Sequence, residues 1–531
     1  MTDYYSEFRP ELLNATDRSG TRGSFDPLVK VAMLAPELAR ELDTRGGELP
    51  ATSVEAGGSA PVAAYATSLH ETIHWWQMVG STTGLLSGLT SSAQSNSCAP
   101  HLANVVGTVS KPMLNELKSR PELAEASGDA WKACSRWFDL EIANCLLLEP
   151  LHAFYRLQSD DFLFESVGYA LAQHAATTTG LIARVLSAPL VAGRDEWERL
   201  LREARETDAP GFTPGSLVKF PLGARHLFEG QARLIELQYR TRAVAHQPLP
   251  ELEEQGWLDG VYGEALNVFL ESTECSLPDD VEDPFINLFL LLCDIAINPS
   301  RGYPAPIGSP NTWVAATHPG VRFESLCGAA KKRLGALLEL LRTVSLKTYG
   351  ACTELLLGDA DWLPPDAVAR ETSQLLSGTD LWAGLPDSQD AAAHLILAAH
   401  QSFVEMKAEI PHFFCWPAPF LTGEPDDDLS AYEALLELYS PPFHANPDGG
   451  GVDTAHLPEI APKRLQGVTN RYFRTVAVYE LVRQWISERG PFRFDYTWKP
   501  ELRPDELQQL TATFEKSLGV RLNDIHVEAH D

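Results

Sequence analysis

The chain has no C-x-x-C pair and no regular cysteine framework. Its eight cysteines, Cys98, Cys134, Cys145, Cys275, Cys293, Cys327, Cys352 and Cys415, are scattered singly. That spacing argues against a disulfide scaffold or a cysteine-built zinc site. Several of these residues lie in apolar helical stretches, where a free thiol behaves as a small core hydrophobe. Long hydrophobic runs are also missing: the longest, from Ile286 to Ile297, is too short to span a bilayer and contains Asp294. The first twenty residues lack the basic start and apolar stretch of a signal peptide. A reduced, cytoplasmic setting is therefore expected. Positive charge is scarce, with 42 Lys and Arg against 72 Asp and Glu and a formal net charge of -30. Such acidity repels phosphate backbones and anionic lipid surfaces, so neither nucleic acid nor membrane is an expected partner. No internal repeat or sustained heptad is present. Gly449-Gly450-Gly451 is not a phosphate loop, because neither Lys-Ser/Thr nor a helix follows it.

What is present suits a large buried core. Hydrophobic residues make up 44% and charged residues 21% of 531 positions, enough for two to four domains or one elaborated unit. Most of the chain reads as helix, so the expected fold class is mainly α with a small β-sheet. The region 61–90 carries an apolar helical pattern, with Ser59 as a cap and Pro61 in the first turn. Further helices are expected near 102–118, 121–157, 161–187, 194–206, 223–245, 261–274, 283–297, 321–347, 365–377, 388–408, 428–438, 470–488 and 504–517. Strand signals are few: Leu28 to Met33, Ser216 to Phe220 and Phe492 to Tyr496. Pro, Gly and Asp mark loops at 298–311, 359–367, 423–428 and 440–453. A boundary near 350–365 would separate residues 1–350 from a helical C-terminal region, 351–531.

The chemistry concentrates in His70-Glu71-Thr72-Ile73-His74. On a helix, His70 and His74 project from one face a turn apart, a spacing that suits two ligands of a tetrahedral zinc ion. Glu71 is placed to reach a metal-bound water as general base. Leu69, Trp75, Trp76 and Met78 make the surroundings apolar, and ionisable groups in such a helix need partners. A catalytic zinc requires a third protein ligand. Glu229, in His226-Leu227-Phe228-Glu229-Gly230-Gln231-Ala232-Arg233, is the candidate.

Here the sequence resembles the gluzincin branch of zincin-like HExxH metallopeptidases, in which a Glu on a second helix completes the site. The resemblance implies a zincin-like core on residues 1–350 with a long helical insertion at about 90–220. It also implies zinc on His70, His74 and Glu229, and hydrolysis of peptide or protein substrates. Small residues at 230 and 232 would let the two helices approach closely. Many gluzincins carry an acidic residue four positions after the ligand, where this chain has Arg233. Glu236 is the candidate to orient a ligand histidine instead. The segment Thr317-His318-Pro319-Gly320-Val321-Arg322 resembles the His-Pro element with a following Arg in the prenyl-protein endopeptidase family. That likeness implies His318 as an oxyanion donor and Arg322 as a partner of Glu229 or substrate. A local reading is equally open, with Pro319 starting a helix that His318 caps.

Other readings compete. Glu71-x-x-His74 and Glu149-Pro150-Leu151-His152 are two E-x-x-H motifs, as in ferritin-like diiron proteins, with Glu141, Glu165 or Glu229 as extra carboxylates. Pro150 argues against it, and so does the idleness of His70. Two His and a carboxylate also suit a mononuclear Fe(II) oxygenase. A structural zinc would need four Cys or His ligands, and no nearby pair completes the set. His394 and His400 are off-face for joint ligation, and His412-Phe413-Phe414-Cys415-Trp416 reads as core packing.

Overall fold

The computed structural model describes residues 22–43, 59–120, 122, 128–153, 167–187, 199, 202, 222–244, 246–304, 313–358, 360–422, 435–436, 438–446, 451–454, 460–496, 498–499 and 501–528. The fold is mainly helical with one four-stranded sheet of order β1-β2-β3-β4, formed by Gly23–Asp26, Val31–Leu34, Phe443–Ala445 and Val452–Thr454. β1 and β2 form an antiparallel hairpin, β2 and β3 pair in parallel, and β3 and β4 are antiparallel. The apolar run from Leu28 thus begins inside a turn rather than a strand. Asp26 sets that turn: its carboxylate accepts from the Leu28 and Val29 amides at 2.9 and 3.1 Å. β3 and β4 fall in a region whose Pro, Gly and Asp content had suggested only a loop. Phe492 to Tyr496 is irregular apart from a bridge between Tyr496 and Lys499. Residues 216–220, 194–198, 428–434, Gly449 and Gly450 lie outside the described residues.

The expected helix over 61–90 is two helices, Ser59–Gly80 and Thr82–Gly88. The break has a local cause. Ser81 caps the second helix through Gly84 N at 2.9 Å, and Gly84 lies so close to the first that a Cβ would sit 2.0 Å from the Gln77 carbonyl. The first helix is apolar nearly all round, as a buried helix must be, and packs against helices Ala224–Ala243 and Ala391–Glu409. His400 joins the latter to its end, with Nδ1 2.5 Å from the Val79 carbonyl. Both His400 and His394 are buried.

The largest core cluster runs from Phe25 to Tyr439 and so draws on both sides of position 350. Its aromatic centre joins Trp76, Phe403, Phe413, Phe414 and Tyr439, with Trp76 Nε1 donating to the Tyr439 carbonyl at 2.9 Å. A second cluster packs helices Thr90–Val105 and Asp129–Leu148 with the C-terminal helices Pro462–Ser487 and Pro504–Leu518. Among the described residues, no helix is long and apolar enough to cross a membrane.

Candidate metal centre

Two crossing helices build the site. Ser59–Gly80 supplies His70, Glu71 and His74, and Ala224–Ala243 supplies Glu229. The start of the second helix is fixed by close backbone packing. A Cβ on Gly223 would meet the Leu148 carbonyl at 2.1 Å, and one on Gly320 would meet that of Leu222 at 1.9 Å. Gly230 does not ease the approach of the ligand helices. Its bare Cα faces Phe289 and the Tyr262 carbonyl, so it admits helices Pro284–Ile297 and Val261–Thr273 instead.

His70 Nε2 and His74 Nε2 are 3.1 Å apart, and Glu229 Oε2 lies 3.5 and 3.3 Å from them. Adjacent ligands of a tetrahedral zinc with bonds of about 2.0–2.1 Å lie about 3.3 Å apart. The three atoms therefore match one face of such a tetrahedron. Among the described residues this is the one group of three potential ligands that converges in this way. All three side chains are buried, Glu229 completely.

The outer nitrogens of both rings are held so that the inner ones present lone pairs. His74 Nδ1 lies 2.9 Å from Gln77 Oε1. Gln77 Nε2 donates to the Phe228 carbonyl and to Gln231 Oε1, each at 2.9 Å. That orientation makes Gln77 Oε1 an acceptor and His74 Nδ1 a donor. His70 Nδ1 lies 3.2 Å from Glu236 Oε2, an ion-pair contact without hydrogen-bond alignment. With the proton of each ring on Nδ1, two imidazole lone pairs and a carboxylate would face one another, and the Glu229 oxygens have no hydrogen-bond partner. Such a group could hold a cation at its centre. The residues present fit a divalent metal with two nitrogen ligands and one oxygen ligand.

Electrostatics follow this arrangement. Burial opposes ionisation of Glu229, but His74 and His70 outweigh it and hold the carboxyl well below its usual range. Burial likewise opposes Glu236, which Arg233 and His70 bring down to about 2. Glu71 goes the other way. Burial pushes it up to about 8, against the pull of His74 and with Glu229 and Glu236 adding to the rise. Its Oε1 lies over β1, only 2.6 Å from where a Cβ on Gly23 would stand.

His318 and Arg322 take the local roles. His318 caps helix Pro319–Leu340: its Nδ1 accepts from Val321 N at 3.4 Å, and its Nε2 lies 2.9 Å from the Leu146 carbonyl. The ring has one N–H when neutral, and that N–H goes to Leu146 rather than to an oxyanion. Burial favours the neutral form, lowering its pKa to about 4. Arg322 does not hold Glu229. Its nitrogens donate to the carbonyls of Ile295, Ala296 and Ala316 at 2.8, 3.0 and 3.1 Å, closing the end of helix Pro284–Ile297. The Trp362 ring covers its guanidinium at 4.1 Å.

Of the diiron candidates, Glu149 is ion-paired with Arg225, and Glu165 lies outside the described residues. One residue at the centre carried no signal in the sequence. Tyr262, from helix Val261–Thr273, meets the His70 ring edge-on at 6.0 Å, and burial, reinforced by Glu229, raises its phenol pKa. Gln77, in contrast, stands one turn from His74 on the same helix face, and helical spacing alone could have assigned it. Comparison with known proteins finds no family model, curated protein or solved structure that the chain matches.

Proposed function

We propose that this chain is a zinc-dependent hydrolase, with peptide or protein as substrate and His70, His74 and Glu229 as the metal ligands. The observation that supports this most is the triangle of Nε2, Nε2 and Oε2 atoms with sides of 3.1 to 3.5 Å, backed by Gln77 and Glu236 behind the rings. A zinc ion held there would supply Lewis acidity, acidifying a water and polarising a carbonyl. Glu71, beside the first ligand and enclosed by β1, is the group to take the proton of the attacking water and return it to the leaving amine. Its pKa of about 8 in the metal-free protein reflects burial among acids. A cation in the cup would bring it down towards the range of a general base.

The same three donors suit a mononuclear ferrous site. Glu71 favours hydrolysis, because a two-His, one-carboxylate iron site leaves an adjacent buried carboxylate without a task. Eight free cysteines, seven of them buried, suit a reducing cytoplasmic setting. The deciding experiment incubates metal-loaded wild type and Glu71→Gln with a peptide library and reads cleavage by mass spectrometry. The variant should keep its metal and lose about 10²–10⁴-fold in rate. A Glu71→Gln protein that cleaves at the wild-type rate would remove the proposed base.

A further inference from the structure

Beyond the ligands, helix Ala224–Ala243 continues a stripe of charge. Glu229, Arg233, Glu236 and Arg240 follow one another at helical spacing on one face. Arg233 Nη1 pairs with Glu236 Oε2 at 2.6 Å, and Arg240 Nη1 lies 3.9 Å from Glu236 Oε1. Both guanidiniums stand over the Trp257 indole, at 5.3 and 4.5 Å from its centroid. Arg22 stands over the same ring at 5.8 Å, and its chain neighbour Gly23 is the residue against Glu71. Arg233 also covers Tyr262 at 4.0 Å, and Tyr262 in turn meets His70.

Three cations thus gather on one indole next to the helix that carries Glu229, and Glu236 is the carboxylate that reaches Arg233 and Arg240. Cation–π contact recovers part of the cost of crowding like charges, but does not neutralise them. Arg240 Nη1 is buried without a hydrogen-bond partner. Arg22 has no carboxylate partner among the described residues. Glu236 holds Arg233 at 2.6 Å but Arg240 only at 3.9 Å, so Arg240 and Arg22 keep the donor capacity for a further anion.

We propose that Arg240 and Arg22 form an anion subsite beside the metal centre, and that the substrate carries a carboxylate close to the bond cleaved. The planar guanidinium fork matches a carboxylate in two parallel hydrogen bonds, whether the group ends a peptide or belongs to an acidic side chain. This inference rests on the metallohydrolase reading, and the test separates the two.

The probes are the monohydroxamates of succinic, glutaric and adipic acid, each compared with its carboxamide counterpart, with acetohydroxamate as a metal-binding reference. Binding to the zinc-loaded full chain is measured by calorimetry. At one or more chain lengths the acid should bind about 10-fold or more tighter than the amide, since a charge-assisted pair replaces a neutral one. Arg240→Gln should bring acid and amide together while leaving acetohydroxamate binding unchanged, which also shows that the variant is folded. Arg22→Gln provides the same comparison at the second arginine. Equal binding of acid and amide at every length would overturn the subsite and leave the metal centre standing, as would an acid preference that survives both substitutions. Failure of every hydroxamate to bind, acetohydroxamate included, would overturn the metallohydrolase reading and the subsite with it.

Discussion

Replacing Glu71 with Gln should make the metal-free protein more stable, and by more as the pH rises. Burial lifts the Glu71 pKa from 4.5 to about 8, so between those values the folded chain holds a proton that the unfolded chain has released. Stability then falls with rising pH, because the folded state binds more protons than the unfolded one. Above pH 8 the full difference is present and corresponds to about 5 kcal/mol. Relaxation and water entry around a buried charge reduce the expected effect to about 2–4 kcal/mol. Gln has the same shape and no charge, so the variant escapes this loss. For a chain of 531 residues unfolding as one unit, about 2.1 cal/mol/K per residue converts the gain to roughly 2–4 °C in Tm. The assay is thermal unfolding in chelator at pH 5, 7 and 9, reading the difference between variant and wild type so that other titrating groups cancel. The difference should be smallest at pH 5 and grow towards pH 9. A difference that stays constant across that range would refute a buried, protonated Glu71.

Gln77→Ala and Glu236→Gln each release one ligand imidazole from its outer partner, so each should weaken metal binding by about 10–100-fold in a chelator competition; unchanged affinity would show that ring orientation does not depend on them. Acidification should also release the metal, because both histidines must be neutral to bind. Burial works to lower the His70 pKa, but Glu229 and Glu236 raise it above 6.5 overall, so proton competition should set in above that value. An affinity that stays flat down to pH 5 would contradict this order of effects. Lys407→Met leaves Asp294 buried without its 2.7 Å ion pair and should cost about 3–5 kcal/mol. Tyr349 and Asn298 still donate to that carboxylate, and the double variant with Asp294→Asn should recover much of the loss in thermal unfolding.

The ligand pair was legible because helical spacing fixes which side chains share a face, and His70 and His74 need no tertiary information to meet. Glu229 was legible through the likeness of its segment to a gluzincin ligand helix and its order along the chain. Glu236 was readable as the second carboxylate of the same stripe, one turn beyond Arg233. Tyr262 was not, since nothing near it in sequence points to the ligand helices and only packing brings it there. His318 and Arg322 show the opposite error: a local capping pattern and a distant catalytic one share the same residues, and the contacts with Leu146 and Ile295 fall on the local side. Gly230 was read for the wrong neighbour, because a small residue announces close approach but not the approaching element. Helices Ala224–Ala243, Val261–Thr273, Pro284–Ile297 and Pro504–Leu518 emerged near their expected limits, whereas the expected helix over 102–118 is broken at 106–112 between Thr90–Val105 and Met113–Ser119. The short strands β3 and β4 did not emerge, because the pairing of β3 with β2 is nonlocal and the stretch around them is rich in Pro, Gly and Asp.

The most direct test of the account is the metal content of wild type, His74→Ala and Glu229→Ala protein purified without added metal, read by elemental mass spectrometry. The account predicts about one zinc per chain in the wild type, and its loss in both variants. Two irons per chain, or zinc retained in full by Glu229→Ala, would contradict it.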